Sequence, residues 1–204
     1  MGTQLFTFII ILVSILSSYF PELYSFFIFD RSALIRGEVW RIFTCHFVHF
    51  SSLHLVYNLF VFGIAGYIIR KKNYPHFGWL CLWLSFAISI SLFILKPNMH
   101  YYGGLSGVAC GALYYCALMG FNESRPWQTI CFLVILLLPI KMIVEIYSGA
   151  SILPYWEYQS FIPMQTSHII GCLAAAALYL REYKRRNSLT NQLKGLAITR
   201  LLGS

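Results

Sequence analysis

Six apolar stretches dominate this 204-residue chain, at about 4–20, 52–70, 77–96, 104–120, 128–148 and 165–181. Each reaches the roughly 17–25 residues that an α-helix needs to cross the hydrocarbon core of a bilayer. Only the fifth holds charged residues in its interior, Lys141 and Glu145. Backbone inside lipid must satisfy its own hydrogen bonds, so such a chain folds as packed helices. The expectation is an all-α integral membrane protein with a six-transmembrane-helix bundle. No Pro/Ser/Gly-rich linker, low-complexity stretch or internal repeat separates the spans, which predicts a single domain over 1–204. The first stretch lacks a small-residue cleavage site and is expected to remain as a signal anchor.

A net charge of +8 would suggest a nucleic-acid partner in a soluble chain, but here the basic residues follow the apolar runs. Their partner is the lipid bilayer, and no nucleic acid is expected. Arg70-Lys71-Lys72 follows the second span, and Arg181, Lys184, Arg185 and Arg186 follow the sixth, whereas 149–164 contains no Lys or Arg. By the positive-inside rule both termini are cytoplasmic, with a basic tail over 182–204. The 21–51 loop carries Arg31, Arg36 and Arg41, accompanied by Glu22, Asp30 and Glu38. Spans two, four and six then all run inward from the outer side. The six cysteines show no Cys-x-x-Cys spacing and read as small, reduced core residues.

On those three inward-running spans, four polar groups share one depth. His54 and Asn58 lie four apart, hence on one face of span two. Ser106 and His168 each lie a few residues from the outer end of spans four and six. Gly103, Gly107 and Gly111 recur every four residues, as do Ser167, Gly171 and Ala175, and such small-residue stripes let helix backbones approach closely. If the stripes meet, Ser106 and His168 flank the closest contact, within hydrogen-bond reach. The plainer reading is that the stripes serve packing alone; a Ser and a His beside them shift that balance.

A serine hydroxyl attacks a carbonyl only when a neighbouring base takes its proton, and neutral histidine is the usual base. The Ser106 N–H, the Asn58 amide and the His54 ring N–H are candidate donors to the oxyanion that forms. No acidic residue lies near His168 in sequence, so a Ser–His dyad without a carboxylate is expected, with no cofactor.

These residues carry a resemblance to the rhomboid intramembrane serine proteases. Gly104-Leu105-Ser106-Gly107 is similar to that family's nucleophile motif, His54-Leu-Val-Tyr-Asn58 to its second span and Ser167-His168-Ile-Ile-Gly171 to its sixth. Trp40-Arg41 resembles its Trp-Arg pair, and His46-Phe-Val-His49 falls where it has a histidine before the second span. The resemblance runs from about residue 36 to 177. It implies a rhomboid-like bundle with Ser106 as nucleophile, His168 as its base and His54, Asn58 and Ser106 in the oxyanion hole. Gly104, Gly107, Gly171, Trp40, Arg41 and His49 would support them. It also implies cleavage of a substrate's transmembrane segment near its outer end. The short chain, Arg36-Gly37-Glu38-Val39-Trp40-Arg41 and Tyr102-Gly103-Gly104-Leu105-Ser106-Gly107-Val108 look most like the rhombosortase subgroup. That subgroup is associated with removing glycine-rich C-terminal anchors from bacterial membrane proteins at the cell envelope. A bacterial inner-membrane location, with the site toward the periplasmic side, follows from it. Ala175 departs from the family, where a second glycine often follows Gly171, but it remains small.

Other polar residues have plainer readings. His46 and His49 lack the intervening Glu of a zinc-protease motif, so no metal is expected and they support the loop at the membrane surface. His76 and His100 are expected to be solvated. Lys141 and Glu145, one turn apart, read as a mutually paired or snorkelling couple near the outer interface. Aromatic residues at the outer boundaries form an interfacial belt, and Pro154–Tyr158 would cap the site as a mobile loop. A haem protein with His54 and His168 as axial ligands is a rival, though it leaves Ser106 and Asn58 unused. A non-catalytic relative or small transporter is another, and the joint presence of Ser106 and His168 opposes it.

Overall fold

The computed structural model describes residues 2–149 and 164–202, with side chains as far as Ser188. The proposed cap at Pro154–Tyr158 lies outside the described residues. In chain order the elements are α1 (Thr3–Tyr19), α2 (Pro21–Phe27), β1 (Phe29–Asp30), α3 (Arg31–Ile35) and α4 (Arg41–Thr44). A 3-10 turn (Cys45–Phe47) follows, then α5 (Ser52–Lys71), α6 (Phe77–Leu95), β2 (Tyr101–Tyr102), α7 (Ser106–Gly120), α8 (Trp127–Ser148) and α9 (Gln165–Leu202).

Helices lie over all six apolar stretches. Among the described residues three of them, α5, α6 and α8, are long and apolar enough to cross a membrane by length and composition. A fourth is reached if α1 and α2 count as one unit bent by 112°. Pro21 opens α2, where its missing N–H costs nothing. α7 has only 15 residues. α9 runs unbroken to Leu202, so the basic segment expected as a tail from 182 continues the sixth helix.

α7 is the hub, buried along much of its length through Val108, Ala112 and Tyr115. It makes its most extensive pairing with α9 and also packs on α5, α6 and α8. The small-residue stripes explain the closeness of α7 and α9. A Cβ on Gly107 would stand 2.9 Å from the Ser167 carbonyl oxygen, and one on Gly111 would stand 2.7 Å from that of Gly171. Gly103 departs from the expected stripe. It precedes the helix, and its Cβ position faces Val48 of the first loop at 3.1 Å.

That first loop, from Pro21 to Ser51, is folded rather than open. Buried Arg41 organises it: its guanidinium donates to Glu38 Oε2 at 2.7 and 2.9 Å and to the carbonyls of Ser25 (2.8 Å) and Ile28 (2.7 Å). Trp40 stacks on Phe26 at 5.1 Å and donates its ring N–H to the Phe26 carbonyl. Arg31 donates to the carbonyls of Phe93, Lys96 and Met99, which fastens the loop to the end of α6. β1 then pairs antiparallel with β2, Phe29 opposite Tyr102 and Asp30 opposite Tyr101. The loop is thus stitched to the segment that leads into Ser106.

At the opposite end of the bundle Lys72 and the Tyr74 hydroxyl both donate to Glu123, at 2.5 Å each, joining the loops that follow α5 and α7. Burial acts to raise the Glu123 carboxyl, but those two hydrogen bonds and the Lys72 charge outweigh it and hold the group below its ordinary value. His76 is exposed, as expected, and its ring lies 3.5 Å from the buried carboxylate of Glu182 on α9.

Candidate active site

The N-terminal end of α7 is where the sequence-predicted residues gather. Ser106 is its first residue, partly exposed, and the first N–H groups of a helix have no intrahelical acceptor. The preceding turn depends on Gly104, whose φ of +138° is closed to residues with a side chain. A Cβ there would also press on His54 Cε1 at 2.9 Å and lie 3.8 Å from Ser106 Oγ. The same position therefore measures how closely His54 and Ser106 converge.

Three successive backbone groups of this turn are held from the first loop. The Gly104 N–H donates to the Cys45 carbonyl at 3.1 Å. The Gly104 carbonyl lies 3.4 Å from both the Tyr102 hydroxyl and His46 Nδ1. The Leu105 N–H donates to His49 Nε2 at 3.4 Å. His49 Nδ1 lies 3.1 Å from the Phe47 carbonyl, so that nitrogen carries the proton and Nε2 is free to accept. Burial pushes His49 down to about 4, against the Phe47 bond, and His46 adds to the lowering. Both histidines are neutral in this environment.

His46, read as a support of the first loop, is buried within it. Its Nε2 lies 3.1 Å from the Ser85 carbonyl and from Ser89 Oγ, so the ring bridges α6 to the Gly104 turn. Burial pushes it down to about 4, against the two carbonyls. The missed signal was the i,i+4 pair Ser85 and Ser89, two hydroxyl residues on one face of an otherwise apolar helix.

His54 and Asn58 lie on the first two turns of α5, both buried. Ser51 caps that helix by accepting the His54 backbone N–H at 3.2 Å. The His54 and His49 rings meet edge to face, centroids 5.2 Å apart. Among the described residues the Asn58 Nδ2 has no hydrogen-bond partner, and neither do the two ring nitrogens of His168. The close approach of α7 and α9 brings His168 near Ser106. The expected Ser106–His168 hydrogen bond is not formed, and such bonds commonly tighten only when substrate is bound. Gly107 and Gly171 sit in the α7–α9 contact itself. Trp40 and Arg41 organise the first loop, and their hydrogen bonds stay within it.

The cluster combines a hydroxyl at a helix N-terminus, a buried imidazole with both nitrogens available and, one turn along α5 from His54, an unpaired amide donor. That set is suited to acyl transfer.

The Rhomboid domain model matches residues 36–184, more than half of the chain, and covers every residue of this cluster. Curated relatives include the rhomboid protease GlpG of Salmonella newport (strain SL254), of Salmonella enteritidis PT4 (strain P125109) and of Salmonella typhi. Each is 30% identical over 93 residues, 45% of this chain and 33% of the relative. The chain thus matches about a third of the length of these proteins. With the family model spanning the whole site, this helical integral membrane protein belongs to the rhomboid family.

Proposed function

We propose that the chain is an intramembrane serine endopeptidase working through Ser106 and His168. The observation that carries this reading is the α7–α9 contact, which sets the hydroxyl and the imidazole near each other at one end of the bundle. His168 takes the Ser106 hydroxyl proton as Oγ bonds to the scissile carbonyl carbon. The oxyanion is met by the Ser106 N–H, the Asn58 amide and the His54 ring, arranged around the Gly104 turn. Collapse breaks the C–N bond, with the His168 proton passing to the departing amine. Water then hydrolyses the acyl-enzyme through the same base. His54 and Asn58 come from α5, which packs on α7, and Gly104, Gly107, Gly171, Trp40, Arg41 and His49 hold the arrangement.

The substrates we propose are membrane-anchored proteins bearing glycine-rich C-terminal anchors, as the rhombosortase-like motifs around Trp40 and Ser106 suggest. The placement we favour is a bacterial inner membrane, as one domain of six spans. Both termini are cytoplasmic and the site faces the periplasm, a topology supported by the basic residues after α5 and along α9. Labelling by a fluorophosphonate probe tests the dyad: the native chain labels, while Ser106→Ala and His168→Ala do not. Equal labelling of all three overturns it. A client with a glycine-rich anchor should be trimmed by active enzyme; its persistence, with cleavage of other membrane clients, assigns a rhomboid of different specificity. A haem-region absorbance in the purified protein would favour the rival in which His54 and His168 ligate iron.

A further inference from the structure

Ser17 is fully buried near the end of α1, and its hydroxyl reaches beyond its own helix. Thr7 and Ser18 donate back to carbonyls four residues earlier, those of Thr3 and Ser14, each at 2.8 Å. Ser17 Oγ lies 3.1 Å from the Ser14 carbonyl but only 2.7 Å from that of Phe47, thirty residues on in the first loop. Phe47 ends the 3-10 turn, so its carbonyl has no donor within that turn and both lone pairs are open. One accepts the Ser17 O–H, and the other accepts the His49 Nδ1–H at 3.1 Å. His49 Nε2 then accepts the Leu105 N–H at 3.4 Å, and Ser106 is the next residue. The same imidazole meets His54 edge to face, centroids 5.2 Å apart. Three hydrogen bonds thus run without a gap from α1 to the turn that opens α7. The family match begins at residue 36, so α1 lies outside it.

A side chain carried by a loop is placed less precisely than one carried by a packed helix, and small displacements at a reacting group slow the reaction markedly. His49 stands on the loop, two residues past Phe47. Resting on the protease reading above, we propose that Ser17 is a positioning residue for the Ser106 turn. Its hydroxyl fixes the Phe47 carbonyl on α1, the carbonyl fixes the ring and tautomer of His49, and the ring holds the Leu105 N–H beside the nucleophile. Without the Ser17 O–H the Phe47 peptide plane is free to turn, and His49 Nδ1 loses a fixed acceptor. The imidazole then exchanges its two neutral tautomers, and the one with its proton on Nε2 cannot accept from Leu105. α1 is thereby part of the site and not solely an anchor in lipid.

Ser17→Ala should lower kcat for a transmembrane substrate about fivefold, with KM little changed. Ser18→Ala, which removes a hydroxyl bonded within α1, should leave kcat at its native value. Because Ser17 acts through His49, Ser17→Ala should cause no further loss in a His49→Phe background. With the histidine nitrogens isotope-labelled, magnetic resonance reads the His49 tautomer directly, its signals being assigned by their loss in His49→Phe. The native chain should show the Nδ1–H form and Ser17→Ala a mixture. Cleavage is measured in detergent micelles and normalised to folded protein by thermal unfolding. If Ser17→Ala does not fold, Ser17→Cys, close in volume and a much weaker donor, takes its place. A native kcat in Ser17→Ala, a loss that multiplies with that of His49→Phe, or an unmoved His49 tautomer assigns Ser17 to helix packing and overturns the proposal. A native chain that cleaves nothing, while Ser17→Ala still shifts the tautomer, would remove the protease reading instead.

Discussion

The His49 imidazole accepts the Leu105 backbone N–H at 3.4 Å, so a side chain from the first loop holds the residue that precedes Ser106. The contact works only for the neutral tautomer with its proton on Nδ1, which the Phe47 carbonyl fixes. His49→Phe fills similar space but leaves that N–H unpaired. We expect kcat for a cleavable membrane substrate to fall by about tenfold to a hundredfold, with a smaller change in KM. His49→Gln, which retains an acceptor, should recover part of the loss; no difference between the two variants would deny the hydrogen bond a role.

Gly104→Ala tests the turn itself. The new Cβ meets His54 Cε1 at 2.9 Å on a backbone at φ +138°, so either the turn or the imidazole must move. Backbone strain of this type costs about 1–3 kcal/mol. The displacement of Ser106 against His54 should lower activity more than a hundredfold. Fluorophosphonate labelling rates, compared with thermal unfolding of the same samples, separate the two effects. A variant that labels at the native rate contradicts the geometry.

Gly107→Ala should loosen the α7–α9 contact, because its Cβ would stand 2.9 Å from the Ser167 carbonyl oxygen, a backbone atom that cannot rotate away. A destabilisation of about 1–3 kcal/mol is expected. Gly63→Ala serves as the control. Its Cβ would meet Ile11 Cδ1 at 3.9 Å, an ordinary contact, and stability should hold or rise slightly. Equal effects in the two variants, measured by unfolding in mixed micelles, would mean that close approach is not what the glycine provides.

Acid should weaken the first loop through His46 and His49. Burial depresses both to about 4, below the 6.5 of an unperturbed imidazole. Between those values the unfolded chain binds protons that the folded chain refuses, so stability is complete above about pH 6.5 and declines as pH falls toward 4. Each histidine contributes on the order of 3 kcal/mol to that decline. Unfolding followed from pH 7 to pH 4 should show a shallower dependence in His46→Gln and in His49→Gln; slopes equal to the native one would assign the acid sensitivity elsewhere.

The gathering of His54, Ser106 and His168 was legible because polar groups stand out against apolar surroundings and because small residues at four-residue spacing announce a close helix contact. The spacing reached Gly107 and Gly111 correctly but overran to Gly103, since a stripe in sequence does not reveal where the helix begins. The first loop was largely opaque. Its order comes from Arg41 reaching carbonyls of Ser25 and Ile28 and from a two-residue strand pairing across more than seventy positions, between Phe29 and Tyr102. Neither leaves a periodic trace. The burial of His46 likewise depended on α6 supplying Ser85 and Ser89 opposite it.

The brevity of α7 has a consequence for water. Fifteen residues rise about 22 Å, some 8 Å less than a typical hydrocarbon core. With its far end level with the other helices, α7 would set Ser106 below the lipid headgroups, and the non-helical backbone leading to it would occupy the missing depth. Such backbone persists there only if protein or water surrounds it. The stitched first loop supplies the protein side of that shelter. On the serine-protease reading proposed above, that protein-lined stretch is the route by which the hydrolytic water would reach Ser106 without crossing lipid.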